Sequence, residues 1–287
     1  MQEGLILCRF LHFGAVLLLF GAGLFRHVLF TAALSGFEAS PGRGRWDRAQ
    51  RGLTALAFLS ALGWLMLTAG NMAGDWHDAF DLQINTLVLS HTFFGHVWVL
   101  HLLLNLLALL FGSRLAPRWL LLLNALLMFT LAPVGHGAMF DGTQGALLIF
   151  NQMLHLMGVG TWLGGLLMLA VLLMIPDRVD LRAILVRFSG IGYGLVALIM
   201  VTGLINVRAL SGALWPDPPF TGFGQVLAVK VAMVMCMMVL AAINRTLARA
   251  ATLQLARLRI SVLLECVFGA AALASVSLLG TLPPMLG

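Results

Sequence analysis

The sequence predicts an all-α fold: a polytopic membrane bundle of eight transmembrane helices with both termini outside the cytoplasm. Three observations predict it. Hydrophobic residues make up 61% of the 287, charged residues only 10%, and mean hydropathy is +0.99. A soluble domain of this length needs far less apolar surface. The apolar residues fall into runs close to the roughly 20 that a helix needs to cross a bilayer core about 30 Å thick. The arginines gather in alternate connections between those runs.

The first run, residues 4–33, is long enough to tilt. Residues 53–73 and 86–111 follow. The fourth, 119–135, is short and starts beside Pro117, a residue suited to the first turn of a helix. The last four are 147–175, 188–210, 223–244 and 260–282. Arg43, Arg45, Arg48 and Arg51 lie between the first and second runs, Arg114 and Arg118 between the third and fourth. Arg178, Arg182 and Arg187 lie between or beside the fifth and sixth, and Arg245, Arg249, Arg257 and Arg259 between the last two. These are 13 of the 17 basic residues. The opposite loops carry Asp75, Asp78, Asp81, Asp141 and Asp217 and no basic residue. Positive charge stays in the cytoplasm, so the acidic loops and both termini face outward. The net charge of +6 suits contact with anionic lipid better than with nucleic acid.

The three cysteines lie in different runs and form no CxxC pair, so no disulfide framework is expected. No basic stretch precedes the first apolar run, which therefore reads as a span and not as a cleaved signal. The whole chain, 1–287, reads as one transmembrane domain.

Polar groups inside a bilayer are costly and mark function. His12 sits about 12 Å below the outer end of its span. Cys8 lies one turn above on the same face, a two-ligand edge suited to a soft or borderline metal ion. His91, His96 and His101 follow one another at i, i+5, i+10, so they point in different directions. His91 is the best placed of the three to join an outer site, while His101 with Asn105 suits an interhelical polar contact. His136 ends the fourth span at the outer boundary. His155 lies about eight residues into the fifth, with Asn151 one turn above. Histidines on spans one, three, four and five thus reach a similar outer depth. A lone membrane histidine is ordinarily a satisfied polar contact; four at one depth suggest a shared metal site.

A second group lies at inner depth. Met233, Cys236 and Met237 share a face of span seven, and Cys266 on span eight is level with them. Thioether and thiol suit Cu(I), and the same residues also serve as ordinary adaptable packing. Glu265 is expected to pair with Arg187 or Arg245, and Lys230 to snorkel outward or to reach Asp217.

Several motifs carry a family resemblance over nearly the whole length. They are Arg9-Phe10-Leu11-His12, Gly95-His96-Val97-Trp98 after Thr92, Gly135-His136-Gly137-Ala138, and His155-Leu156 with Trp162-Leu163-Gly164-Gly165-Leu166. Arg187-Phe188-Ser189, Thr202-Gly203, Lys230, Asn244-Arg245, Glu265 and Pro283 follow in order. In this order and spacing the chain resembles the CopD family of bacterial copper-resistance inner-membrane proteins. The resemblance implies copper handling at the cytoplasmic membrane, with uptake from the periplasm and a separate periplasmic copper-binding partner of the CopC type. Where the family often carries arginine this chain has His101, so the resemblance assigns that residue no ligand role. Cys8 rests on helical spacing alone.

The expected function is therefore a copper-binding protein, not an enzyme, that moves Cu(I) or Cu(II) inward. Its site would be formed by His12, His136 and His155 with His91 or Cys8, and Met233, Cys236, Met237 and Cys266 would form an inner relay. No P-loop is present to couple ATP. Two alternatives stand beside it: a b-type haem electron-transfer protein with two axial histidines, and a copper sensor or scaffold for a periplasmic partner that does not transport. A zinc hydrolase fits less well, because HExxH is absent.

Overall fold

The structure is a computed structural model that describes residues 1–135, 140–217 and 220–281. Every regular element among the described residues is helical. The helices are α1 (Gln2–Leu24), α2 (Pro41–Ala73), α3 (Leu82–His91), α4 (Phe93–Phe111), α5 (Pro117–Phe129), α6 (Gly142–Leu173), α7 (Leu181–Ser211), α8 (Phe223–Arg249) and α9 (Leu255–Leu279). Among the described residues, seven are long and apolar enough to cross a membrane; α5 is apolar but only 13 residues long. Exposed leucine, valine and phenylalanine side chains cover the outer surfaces of these helices, where lipid replaces water as solvent.

Two local features differ from the sequence expectation. The arginine-rich stretch before the second span is itself helical: Ser40 accepts a hydrogen bond from Gly42 N and Pro41 opens α2, so α2 begins twelve residues earlier than residue 53. The third apolar run is broken at Thr92. Its backbone is extended and its hydroxyl accepts from Gly95 N at 2.8 Å, an N-cap that starts a new helix. The spanning helix therefore begins at Phe93, and α3, which carries His91, is a separate element.

α1 is central and touches α2, α5, α6 and α9. Its glycines allow the closest approach in the bundle. A methyl group on Gly21 would overlap the Gly160 carbonyl, and one on Gly164 would strike the backbone of Gly21 and Ala22. Small residues at such a seam let two backbones pack by dispersion where lipid offers no hydrophobic drive. Leu17 meets Gly160 and Gly21 meets Gly164 at one constant offset in sequence, so α1 and α6 run parallel and His12 is level with His155.

At its far end α1 passes into a π-helical turn, Phe25–Leu29, where Arg26 is buried. The guanidinium grips both oxygens of Glu38, at 2.5 and 2.8 Å, and donates to Asp47 at 3.0 Å. The hydrogen bond from Arg26 holds the Glu38 carboxyl below the usual carboxylate range. This fork ties the short helix Ser35–Glu38 and the start of α2 to the end of α1.

Candidate functional site

A pair of histidines meets in the bundle interior. His12 from α1 and His101 from α4 are both fully buried, and their Nε2 atoms stand 2.8 Å apart. Indole rings enclose them. Trp98 stacks on His101 at 4.5 Å and sits 5.8 Å from His12, and Trp64 lies edge-on to His12 at 5.8 Å. Trp98 is itself fixed by donating its Nε1 proton to the Ala61 carbonyl at 3.0 Å.

The partners of the other ring nitrogens decide the tautomers. His12 Nδ1 is 3.0 Å from the Ala57 carbonyl, which only accepts, so Nδ1 carries the proton. Ser60 Oγ, 3.1 Å away, donates to the Leu56 carbonyl and takes a share of the same Nδ1 proton. His101 Nδ1 is 2.6 Å from Thr130 Oγ1, which also lies 2.7 Å from the Leu127 carbonyl. The same hydroxyl is placed to donate to His101 Nδ1, which leaves the His101 proton on Nε2. The 2.8 Å Nε2–Nε2 separation is a hydrogen-bond distance, filled when His101 Nε2–H donates to His12 Nε2. A metal ion that displaces this proton would meet two imidazole nitrogens already turned toward each other. The ring orientations are fixed from behind by α2 and by Thr130, the arrangement that orients metal-binding imidazoles.

The remaining expected residues are dispersed. His155 is buried on α6 and bonds through Nδ1 to Thr202 Oγ1 on α7 at 2.9 Å. It is level with His12 but lines a cavity that meets α1 along Arg9, Phe13 and Leu17, a neighbouring face of that helix. The reason is the 3.6-residue period, which turns position 13 about 100° from position 12. His91 ends α3, exposed, with Ser90 Oγ 2.7 Å from its Nδ1. Its separation follows from the helix break at Thr92. Cys8 shares the α1 face of His12 and lies against Gly63 of α2. His136, with Gly137 and Ala138, lies outside the described residues, as does Pro283. No group of three or more His, Cys, Asp or Glu side chains placed to hold a metal occurs among the described residues. His96 is exposed and bonds to the Ser90 carbonyl. Asn105 donates to the His101 carbonyl within α4, so it does not make the interhelical contact expected of it.

At inner depth, Met237 is buried in a cluster with Trp162 and Leu166, and Cys266 and Met238 pack against it. Met233 and Cys236 are only partly buried. Glu265 is buried and accepts from Trp162 Nε1 at 2.8 Å and Asn244 Nδ2 at 2.9 Å. The arginines expected to pair with it lie elsewhere: Arg187 over the Phe30 ring and Arg245 over the Tyr193 ring. Lys230 does not reach the loop carrying Asp217; it lines the cavity that contains His155.

His101, which the sequence reading assigned no ligand role, is the histidine that meets His12. The signal was available in Thr92-Phe93-Phe94-Gly95, a helix start that brings His101 up to the level of His12.

Comparison with known proteins now gives this arrangement a context. Residues 1–146 match the family described as Copper resistance protein D-like, N-terminal domain, and residues 182–279 match Copper resistance protein D. The chain is 31% identical to inner membrane protein YebZ of Escherichia coli (strain K12), across 97% of this chain and 98% of that protein. It is 28% identical to copper resistance protein D of Pseudomonas syringae pv. tomato, across 84% and 80%. It is 29% identical to copper transport protein CutJ of Bacillus subtilis (strain 168), across 67% of this chain and 38% of that one. No solved structure matches it. The chain belongs to the copper resistance protein D (CopD) family. It is a copper-related protein that crosses the inner membrane several times.

Proposed function

We propose that the chain binds copper between His12 and His101 and passes it from the periplasm toward the cytoplasm. The observation that carries this reading is two buried imidazoles whose Nε2 atoms face each other at 2.8 Å inside an aromatic enclosure. A metal–imidazole bond is about 2 Å long, so a copper ion needs the two nitrogens to part by roughly 1 Å from their 2.8 Å separation. Neutral imidazoles in a dry aromatic box suit two-coordinate Cu(I). Copper here is cargo, and Met237 and Cys266 are the softer contacts nearest the inner side.

The direction rests on an orientation with eight crossings, both termini periplasmic, and the whole chain as one domain. The parallel run of α1 and α6 supports it. Three crossings between them satisfy it, and α2, α4 and the short α5 with the turns after it supply three. The acidic outer segment Asp75–Asp81 would face a separate periplasmic copper-binding protein of the CopC type. There Asp75 accepts from the backbone and ring of His77, which holds its carboxyl below the usual range.

Copper uptake into proteoliposomes tests the reading. The wild type takes up copper, and His101→Ala, folded by its circular dichroism and elution profile, does not. Equal uptake by both would refute the pair as the site. Copper bound by the wild type without any flux would refute transport and favour a sensor or scaffold.

A further inference from the structure

A second polar feature lies beside a neighbouring face of α1. A cavity of about 230 Å³ opens among α1, α6, α7, α8 and α9. Its walls are mostly leucine, valine, phenylalanine and methionine, yet two cationic side chains enter it, Arg9 from α1 and Lys230 from α8. Among the described residues no Asp or Glu lines this cavity, and neither cation makes a hydrogen bond or ion pair. Arg9 leaves its Nε buried without an acceptor; its guanidinium lies over Trp64 at 4.8 Å and against Gly280. The Gln152 amide, whose oxygen accepts from Asn206, adds a further donor on the same wall.

Two positive charges in an apolar chamber within the bilayer are costly unless an anion joins them. The same charges repel a copper cation, so this chamber is chemically unlike the histidine pair. Donors without acceptors lining one cavity, with a long apolar wall beside them, match one ligand class: an oxyanion headgroup carrying an alkyl chain. Basic pockets between membrane helices hold lipid phosphates in this way, and arginine pairs with such oxygens through two parallel hydrogen bonds.

We propose that this cavity binds one anionic amphiphile, its phosphate or carboxylate held by Arg9 and Lys230 and its chain lying along the apolar wall toward Met237. The site is independent of the copper reading, and its test uses no copper. Native mass spectrometry of the purified full chain, titrated with phosphatidylglycerol, phosphatidylcholine, oleate and inorganic phosphate, reads it directly.

The wild type binds one phosphatidylglycerol or one oleate at least tenfold more tightly than phosphatidylcholine. Whichever of the two binds more tightly identifies the headgroup as phosphate or carboxylate. Lys230→Met and Arg9→Met each lose that preference, while Arg249→Met, at the end of α8 away from the cavity, keeps it. Gly203→Leu leaves both charges in place but fills the chamber beside His155, and it also loses the bound lipid. No preference for an anionic lipid in the wild type would overturn the proposal. So would a preference unchanged in Lys230→Met and Gly203→Leu, or binding of inorganic phosphate with no lipid bound.

Discussion

Replacing Gly164 with alanine tests whether the α1–α6 seam sets the height and angle at which His12 is presented. A Cβ on Gly164 would lie 2.5 Å from Gly21 Cα, whereas carbon atoms in contact sit about 3.5–4.0 Å apart. The two helices must therefore separate by about 1 Å. Overpacking costs about 1–3 kcal/mol, and the neighbours here are backbone atoms that cannot rotate aside, which puts the cost near the upper end. Alanine returns about 1 kcal/mol of helix propensity over glycine. The net loss is about 2 kcal/mol. Gly192→Ala on α7 is the matched control, because nothing lies within 4 Å of its added methyl; it should be neutral or gain up to about 1 kcal/mol. Thermal unfolding of both variants in one detergent reads the difference. Gly164→Ala should melt clearly below wild type and bind copper more weakly, since α1 carries His12. If it melts at or above Gly192→Ala, the seam does not constrain α1 and this reasoning fails.

Further outcomes follow from single contacts. Glu265→Gln turns one of two acceptors into a donor facing Trp162 Nε1 or Asn244 Nδ2; it should cost about 1–3 kcal/mol, read by thermal melting, and an unchanged melt would mean the carboxylate is not holding α6, α8 and α9 together. Arg26 depresses the pKa of Glu38, so the stability this pair contributes is present above the unfolded-state value of about 4.3 and is lost as pH falls through the folded value. Wild type should therefore lose more stability than Glu38→Gln between pH 5 and about 3; parallel acid curves would remove the fork from the account. His155→Ala should keep its bound copper, because His155 bonds to Thr202 and lines a separate cavity. Copper loss measured by elemental analysis in that variant would move the site to His155.

The helical bundle was legible because composition and arginine placement act on the chain as a whole: long apolar runs and the Pro117 start of α5 are visible residue by residue. The helix break at Thr92 was written in its cap but masked by the continuous hydrophobicity around it, and it alone displaced the expected depth of His91 and His101. The pairing of His12 with His101 depends on which faces of α1 and α4 meet, and that is set by Gly21, Gly160 and Gly164 crowding α1 from the far side. A glycine pattern suggests close approach but does not name the partner helix. Glu265 misled for a similar reason. Charge suggested arginine, while helix rotation supplied Trp162 and Asn244.

The most direct test of the copper site is X-ray absorption at the copper edge on Cu(I)-loaded protein, wild type beside His101→Ala. The account predicts two nitrogen neighbours at about 2 Å in the wild type and loss of the bound copper in the variant. Sulfur neighbours in the wild type, or an unchanged copper content and spectrum in His101→Ala, would contradict it.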